Sequence, residues 1–457
     1  MRLLTLLVLS VPVMPLTAAQ LVSVGTPVVF PEADCVLHGV SDDARYVLFE
    51  SDSRKLTPSL IFPPEYGVYL RDTLSLTTRL VAPLYRDDAL PGGQSALSGN
   101  GRFVSFVSNP YPISDDYQVS IADTVAGGGA WVSTDSFGTL GDAASMNPSV
   151  NGDGRYVAFE SLADNLTSDV GADILVSDIF LKDRSTGATD CMSLTPTGVT
   201  DTGDSTLPMI SRNGRRVAFF STSKQLVPGT PSDFIAGIFV HDRIAGTTVR
   251  ADVSTGGTPG NRPPRGINRP AVSADGRFVA FASFADNLVA GDTNSTTDVF
   301  VRDLTLGTTV RASLANDGSQ ANGLSFNPTI SSDGRYLCFR SEATNLVAGD
   351  TNGKLDVFVR DLVKGTTIRV HYGLFGVQAN GDAVISAQIC GDGFAVAYTS
   401  DATNLIGSYD HRGVYLAAND PRVSSPPGAM AARLYIQILI HYVRDQLVRV
   451  RLPRANG

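Results

Sequence analysis

The chain has little of what most enzymes are recognised by. Its 457 residues hold four cysteines, five histidines and one tryptophan. The histidines, at 38, 241, 371, 411 and 441, form no spaced cluster, and the cysteines, at 35, 191, 338 and 390, show no metal-ligand spacing. That excludes a zinc site of the usual sequence-local kind and leaves the cysteines reading as buried free thiols, with no pairing implied. No Gly-x-Ser-x-Gly occurs, so the nucleophile elbow of the α/β-hydrolases is missing. Beyond the N-terminal segment no apolar run reaches the roughly 18 residues needed to cross a bilayer. Basic side chains are the minority, 36 against 45 acidic, for a net charge of −9. A body of that sign repels phosphates and argues against nucleic acid.

What is present is glycine, 44 residues of it, with 25 prolines and 43% hydrophobic residues. This is the composition of a β protein with many turns. One phrase, Ser-x-Asp-Gly-Arg-aromatic-Val-x-Phe, recurs seven times and is clearest at Ser273–Phe281 and Ser331–Phe339. Its glycine slot falls at 44, 101, 154, 214, 276, 334 and 393. A fixed period of this size marks a repeat architecture.

Each unit reads as four strands, A to D. In the sixth, Pro328–Ser331 is A, Asp333-Gly334 a tight hairpin turn, Arg335–Ser341 B, Asp356–Leu362 C and Ile368–His371 D, after a Gly-Thr-Thr turn. B and C are apolar on both faces, which requires cover on both sides. The expectation is an all-β fold, a seven-bladed β-propeller of four-stranded antiparallel blades spanning 20–425. Ser23 stands before the first slot as Ser133, Ser193 and Ser313 stand before theirs. That spacing makes Leu21–Val24 a D strand without a blade, expected to complete blade seven and close the ring, with Arg422–Ser424 as the weaker candidate. Ahead of it, Arg2, the apolar Leu3–Leu16 and Thr17-Ala18-Ala19 read as a secretory signal over 1–19. The mature protein is then expected to be secreted or periplasmic, with no membrane span. Residues 426–457 form a Pro-rich linker and a basic, apolar tail in which Leu434, Ile436, Ile438, Ile440 and Tyr442 alternate.

Six units begin B with arginine (45, 102, 155, 215, 277, 335) and end C with aspartate (72, 123, 183, 242, 303, 361). Blade seven has Phe394 and Asn419 there and so loses both together. The start of B and the end of C share one end of a blade, so these read as six structural ion pairs. The Pro-x-x-Ser-x-Asp-Gly opening, Phe-containing strand and aspartate-ended strand, as in Pro270–Asp303, resemble the WD40-like propeller repeat of the TolB family. The resemblance covers roughly residues 21 to 420 and implies periplasmic protein–protein binding. The chain departs from that family in having no room for a domain ahead of blade one.

The A–B and C–D turns are short and the B–C and D–A loops long, so binding is expected on the B–C/D–A face and at the channel mouth. Two B–C loops repeat Gly-Asp-Thr-Asn: Asp292, Asn294 and Asp298 return as Asp350, Asn352 and Asp356. Oxygen ligands at i, i+2 and i+6 resemble the opening of a calcium loop, although Lys354 fills a ligand slot and no glutamate follows at position twelve. Asp and Asn also cap turns unaided. The leading reading is a non-catalytic scaffold binding a protein or cell-envelope component. The alternatives are a hydrolase or lyase with acidic residues at the channel, or a calcium-dependent adhesion module.

Overall fold

A strand greasy on both sides is stable only when sheets stack against each of its faces, and radial stacking provides this. The computed structural model describes residues 20–22, 33–56, 66–84, 95–109, 117–168, 176–230, 235–264, 269–373, 376–406 and 411–418. Over these the chain is a seven-bladed β-propeller of four-stranded antiparallel sheets, numbered here in chain order. In blade 6, A is Ser325–Ile330, B Tyr336–Ser341, C Asp356–Asp361 and D Thr366–Arg369. A strands of neighbouring blades touch, which places them around the axis. Blade 7 consists of Ala383–Ile389, Ala395–Ser400 and Gly413–Ala418, with Gln20–Leu21 in the outer position. Gln20 pairs with Leu416 and Leu21 with Tyr415, and the Val22 amide donates to the Val414 carbonyl at 2.8 Å. Residues 1–19, Ser23, Val24, Asn419, Arg422–Ser424 and the tail 426–457 lie outside the described residues.

Strand boundaries differ from expectation in two instructive ways. The A strand of blade 6 starts at Ser325 and carries a bulge at Asn327, whose φ is +51°, so that Pro328 sits inside the strand without needing to donate. Its D strand starts at Thr366, because Asp361-Leu362-Val363-Lys364-Gly365 already closes the turn, with the Gly365 amide donating to the Asp361 carbonyl at 2.8 Å. Ser133, Ser193 and Ser313 fall two residues past their D strands. Each hydroxyl instead accepts a C-strand amide (Val119, Ile179, Val299) at 2.9–3.1 Å. In blades 1 and 3 to 7 an aromatic of B stacks on the residue paired with it in C, as Phe159 does on Phe180 and Phe339 on Phe358.

All six Arg–Asp pairs form, at 2.6–2.9 Å between Nη2 and the carboxylate. Each aspartate also accepts amides of its own C–D turn, as Asp303 does from Thr305 and Leu306. In five blades the guanidinium lies over the aromatic that follows it, 4.7–4.9 Å from the ring centre. That ring in turn rests on the glycine of the next blade. A Cβ on Gly154 would lie 2.1 Å from the Phe103 ring, on Gly334 2.2 Å from Phe278, and on Gly393 2.4 Å from Tyr336. These glycines have φ between +71° and +80°, so the position excludes side chains twice over. Blade 4 uses Arg216 against Gly276. The remaining junction is the exception: Ala395 takes the aromatic slot of blade 7, and the glycine slot it faces in blade 1 is Ala44, at φ +54°, in the same apolar cluster. The two departures fit each other.

Two further sets of bonds cross junctions, one at all seven and one at three. Backbone bonds link the seven A–B turns in a closed belt: Asp42 to Gly99, Asn100 to Gly152, Gly152 to Arg212, Asn213 to Ala274, Ala274 to Ser332, Ser332 to Gly391, and Asp392 back to Asp42, at 2.8–3.1 Å. In blades 3, 5 and 6 the residue before the C-terminal aspartate of strand C clasps the preceding blade. Lys182 donates to Asp135 O at 2.8 Å, Arg302 to Ser254 O at 3.0 Å and Arg360 to Leu314 O at 3.2 Å. Burial lowers all three cations from their ordinary pKa.

Gly154→Ala is expected to cost about 2–4 kcal/mol by urea unfolding, combining left-handed strain with overpacking of Phe103. Gly138→Ala, at φ +94° with no atom within 4 Å of the new Cβ, isolates the backbone share and should cost about 1 kcal/mol. Equal losses would mean that the ring contact contributes nothing. Arg215 and Arg216 together with turn amides hold the Asp242 carboxyl down to about 2, against the opposing effect of burial. A folded pKa below the unfolded one adds stability above the unfolded value and loses it as pH falls. Asp242→Asn should therefore be about 1 kcal/mol less stable than the parent at pH 7, the figure expected for a partly exposed pair. The gap should close between pH 4 and about 2; a gap that persists at pH 2 would refute the assignment.

Candidate functional site

The two faces of the ring are built differently. Five residues separate A from B in every blade, and four or five separate C from D where both are described. On the opposite face the B–C and D–A connections run from 9 to 20 residues. Each A–B turn is self-satisfied. Its first side chain takes the amide five residues on and, in the five turns that open with serine, also bonds the Asp or Asn two residues on, as Ser273 does with Phe278 and Asp275 at 3.0 and 2.6 Å.

A concavity of about 740 Å³ opens at the channel mouth on the A–B side, between the turns of blades 1 to 4. Arg212 reaches across it from blade 4 to Asp42 of blade 1, 3.1 Å from Nε to Oδ1, over Gly99 and Gly152. Sequence reasoning missed this site because it treated the turns as scaffold alone. The signal available was position two of the turn, which holds Asp42 and Arg212 but glycine at 99, 152 and 391.

On the B–C/D–A side a cleft of about 600 Å³ lies between the D–A loop of blade 4 (Ser254–Gly256) and the B–C loop of blade 5 (Asp286–Thr293). Asp292 borders it. The structure brings the sequence-predicted oxygen ligands together in both loops, around an arginine of the same blade. Arg311 Nη1 lies 3.1 Å from Asp292 and 3.2 Å from Asp298, whose other oxygen accepts from Ser313 at 2.5 Å. Arg369 Nη1 lies 2.7 Å from Asp350 and 2.9 Å from Asp356. Asn294 and Asn352 each turn their amide NH₂ to the second aspartate, at 2.8 and 3.0 Å, so nitrogen rather than oxygen faces that carboxylate. Burial raises the Asp292 and Asp350 carboxyls, with the arginines opposing. Among the described residues no group of three or more His, Cys, Asp or Glu is placed to hold a metal ion.

Blade 6 has His371 where blades 2, 3 and 5 have the serine just past strand D and blade 4 has Asp252. His371 Nδ1 lies 2.7 Å from Asp356 and Nε2 2.9 Å from Ser400 Oγ of blade 7. The order Ser–His–Asp is that of a catalytic triad, but its surroundings are not. All three residues are 0% exposed. Ser400 gives its proton to the Asp382 carbonyl at 3.0 Å and accepts the Ala402 amide at 3.0 Å. Ser51, Ser221 and Ser341 make the same two bonds at the same place in their blades. Ser400 is therefore a strand-end brace, and His371 lengthens that brace across a junction.

Two carboxylates stand on B strands, next to the channel-side A strands. Glu50 is held by His38 at 3.2 Å, Ser95 at 2.9 Å and Tyr66 at 3.1 Å. Glu160 accepts from Asn147 and the Leu207 amide at 2.9 and 3.0 Å, and Arg269 crosses from blade 5 to Asn147 at 3.3 Å.

No protein-family model and no curated protein matches the chain. Solved structures do. The β-propeller domain of the Trilobed protease from Pyrococcus furiosus aligns with a TM-score of 0.52 at 9% identity, over 87% of this chain and 100% of that one. An oligogalacturonate lyase in complex with manganese aligns with a TM-score of 0.51 at 12% identity, over 85% and 91%. TolB from Acinetobacter baumannii aligns with a TM-score of 0.40 at 14% identity, over 84% of each. At such identities the likeness extends to the propeller fold and no further.

With an arginine already between each pair of loop carboxylates, adding calcium or a chelator should leave the melting temperature unchanged. A rise with calcium that Asp350→Ala reduces would instead make these loops cation sites.

Proposed function

We propose that the protein is a non-catalytic binding propeller acting outside the cytoplasm, secreted or periplasmic, in protein–protein or cell-envelope interaction through its B–C/D–A face. The contrast between the two faces carries this reading. The A–B side repeats one five-residue turn seven times, whereas the other side varies its loops and holds the cleft bordered by Asp286, Asn287 and Thr293. Variable loops on a cross-stitched ring are where recognition resides. The carboxylates that an acid–base mechanism would draw on also have fixed partners: Glu50 three side chains, Glu160 an amide and an asparagine.

The test is a paired one. Replacing the blade 5 loop 284–297 with the blade 2 loop 109–117 should weaken capture of the partner from envelope extract by about tenfold or more. Glu50→Gln and Glu160→Gln should leave capture intact. Turnover of a glycan or peptide panel that either glutamine variant abolishes would overturn the reading in favour of a hydrolase or lyase.

A further inference from the structure

The A–B/C–D face is electrically two-sided, a property that lies beyond the reading above and on the opposite side of the ring. In blades 2 to 4 the ion-paired Arg102, Arg155 and Arg215 are joined by four more arginines: Arg184, Arg212, Arg216 and Arg243. The carboxylates of the same turns are Asp123, Asp153, Asp183 and Asp242, so three of the seven arginines lack a counterpart among them. The described turns of the other four blades reverse the balance, with Asp42, Asp43, Asp275, Asp333 and Asp392 added to their paired residues against Lys364 alone. Burial and the neighbouring Asp42 and Asp43 raise the Asp392 carboxyl, as expected on the crowded acidic side.

The basic half is pre-set. Arg184 lies 4.6 Å from the Phe103 ring centre and is anchored to the Gly154 carbonyl; Arg243 lies 4.1 Å from that of Tyr156 and is anchored to the Gly214 carbonyl at 2.7 Å. Arg102 and Arg155 lie against the same two rings. Guanidinium planes fixed in this way lose little freedom on binding a carboxylate in bidentate fashion. Arg155, Arg212 and Arg243 line the mouth concavity together with Asn100, Asn213 and three aspartates, Asp42, Asp43 and Asp153. Amides and carboxylates suit the donors and acceptors of a peptide backbone. Both rings already carry two cations, which leaves neither open for a stacked base.

We propose that this face docks an acidic peptide segment of a partner protein, its carboxylates meeting the blade 2–4 arginines at the channel mouth. The repeat supplies variants the fold already tolerates: threonine stands at the Arg184 and Arg243 position in blades 1 and 2 (Thr73, Thr124), and asparagine at the Asp153 position in blades 2 and 4 (Asn100, Asn213). The probe is a fluorescein-labelled deca-glutamate peptide, read by anisotropy with the full chain at low salt. Binding should fall steeply with salt, weaken about tenfold in Arg184→Thr/Arg243→Thr, and strengthen in Asp153→Asn. Lys364→Ala in blade 6 should bind like the parent. The proposal is overturned if the peptide does not bind, if the threonine pair binds like the parent, if Lys364→Ala loses as much, or if a single-stranded oligonucleotide of equal charge competes equally well.

Discussion

An aromatic ring lying flat on a neighbour's glycine holds this ring of sheets in register, and most of the repeat phrase exists to position it. The aspartate ending strand C fixes an arginine at 2.6–2.9 Å. The arginine covers one side of the ring, and the ring presses on a backbone that only glycine can supply. Each element depends on the one before it, so a motif that looks local works across two blades. The belt of backbone bonds through the A–B turns and the clasps from Lys182, Arg302 and Arg360 act on the same junctions from other sides. A propeller has no single core, only seven interfaces, and its cooperativity comes from bonds such as these.

The architecture was largely legible because its signals are local. Asp-Gly turns, two-sided apolar strands and the Arg–Asp coincidence all lie within one unit, and the period counts the units. Contacts between units were not read: nothing within a repeat says that Phe103 meets Gly154 fifty residues on. The information was nonetheless present, since Ala44 and Ala395 depart from the pattern at facing places. The site was legible only in half. Spacing identified Asp292, Asp298, Asp350 and Asp356 as a set, but their partners Arg311 and Arg369 come from strand D, outside the loop motif. The channel mouth was expected to bind, but its A–B side was not singled out, because Asp42 and Arg212 lie in turns that read as scaffold.

Repetition also separates scaffold from site by a physical rule. A polar group present at one position in most blades answers a need of the blade, as Ser400 does despite its histidine neighbour. A polar group that departs from its equivalents answers something particular to one place. His38 with Glu50, Arg269, and Arg212 with Asp42 are departures of this kind, and all of them gather at the axis.

The alanine pair at the seventh junction has a further meaning. Six junctions join a bulky knob to a bare socket, and one joins a small knob to a filled socket. A blade duplicated or deleted by recombination would set a knob against the wrong socket unless the seam moved with it. The odd pair thus works as a keyed joint, marking where the circle begins and which blade is entitled to meet which, so the number seven is written into side-chain shape as well as chain length.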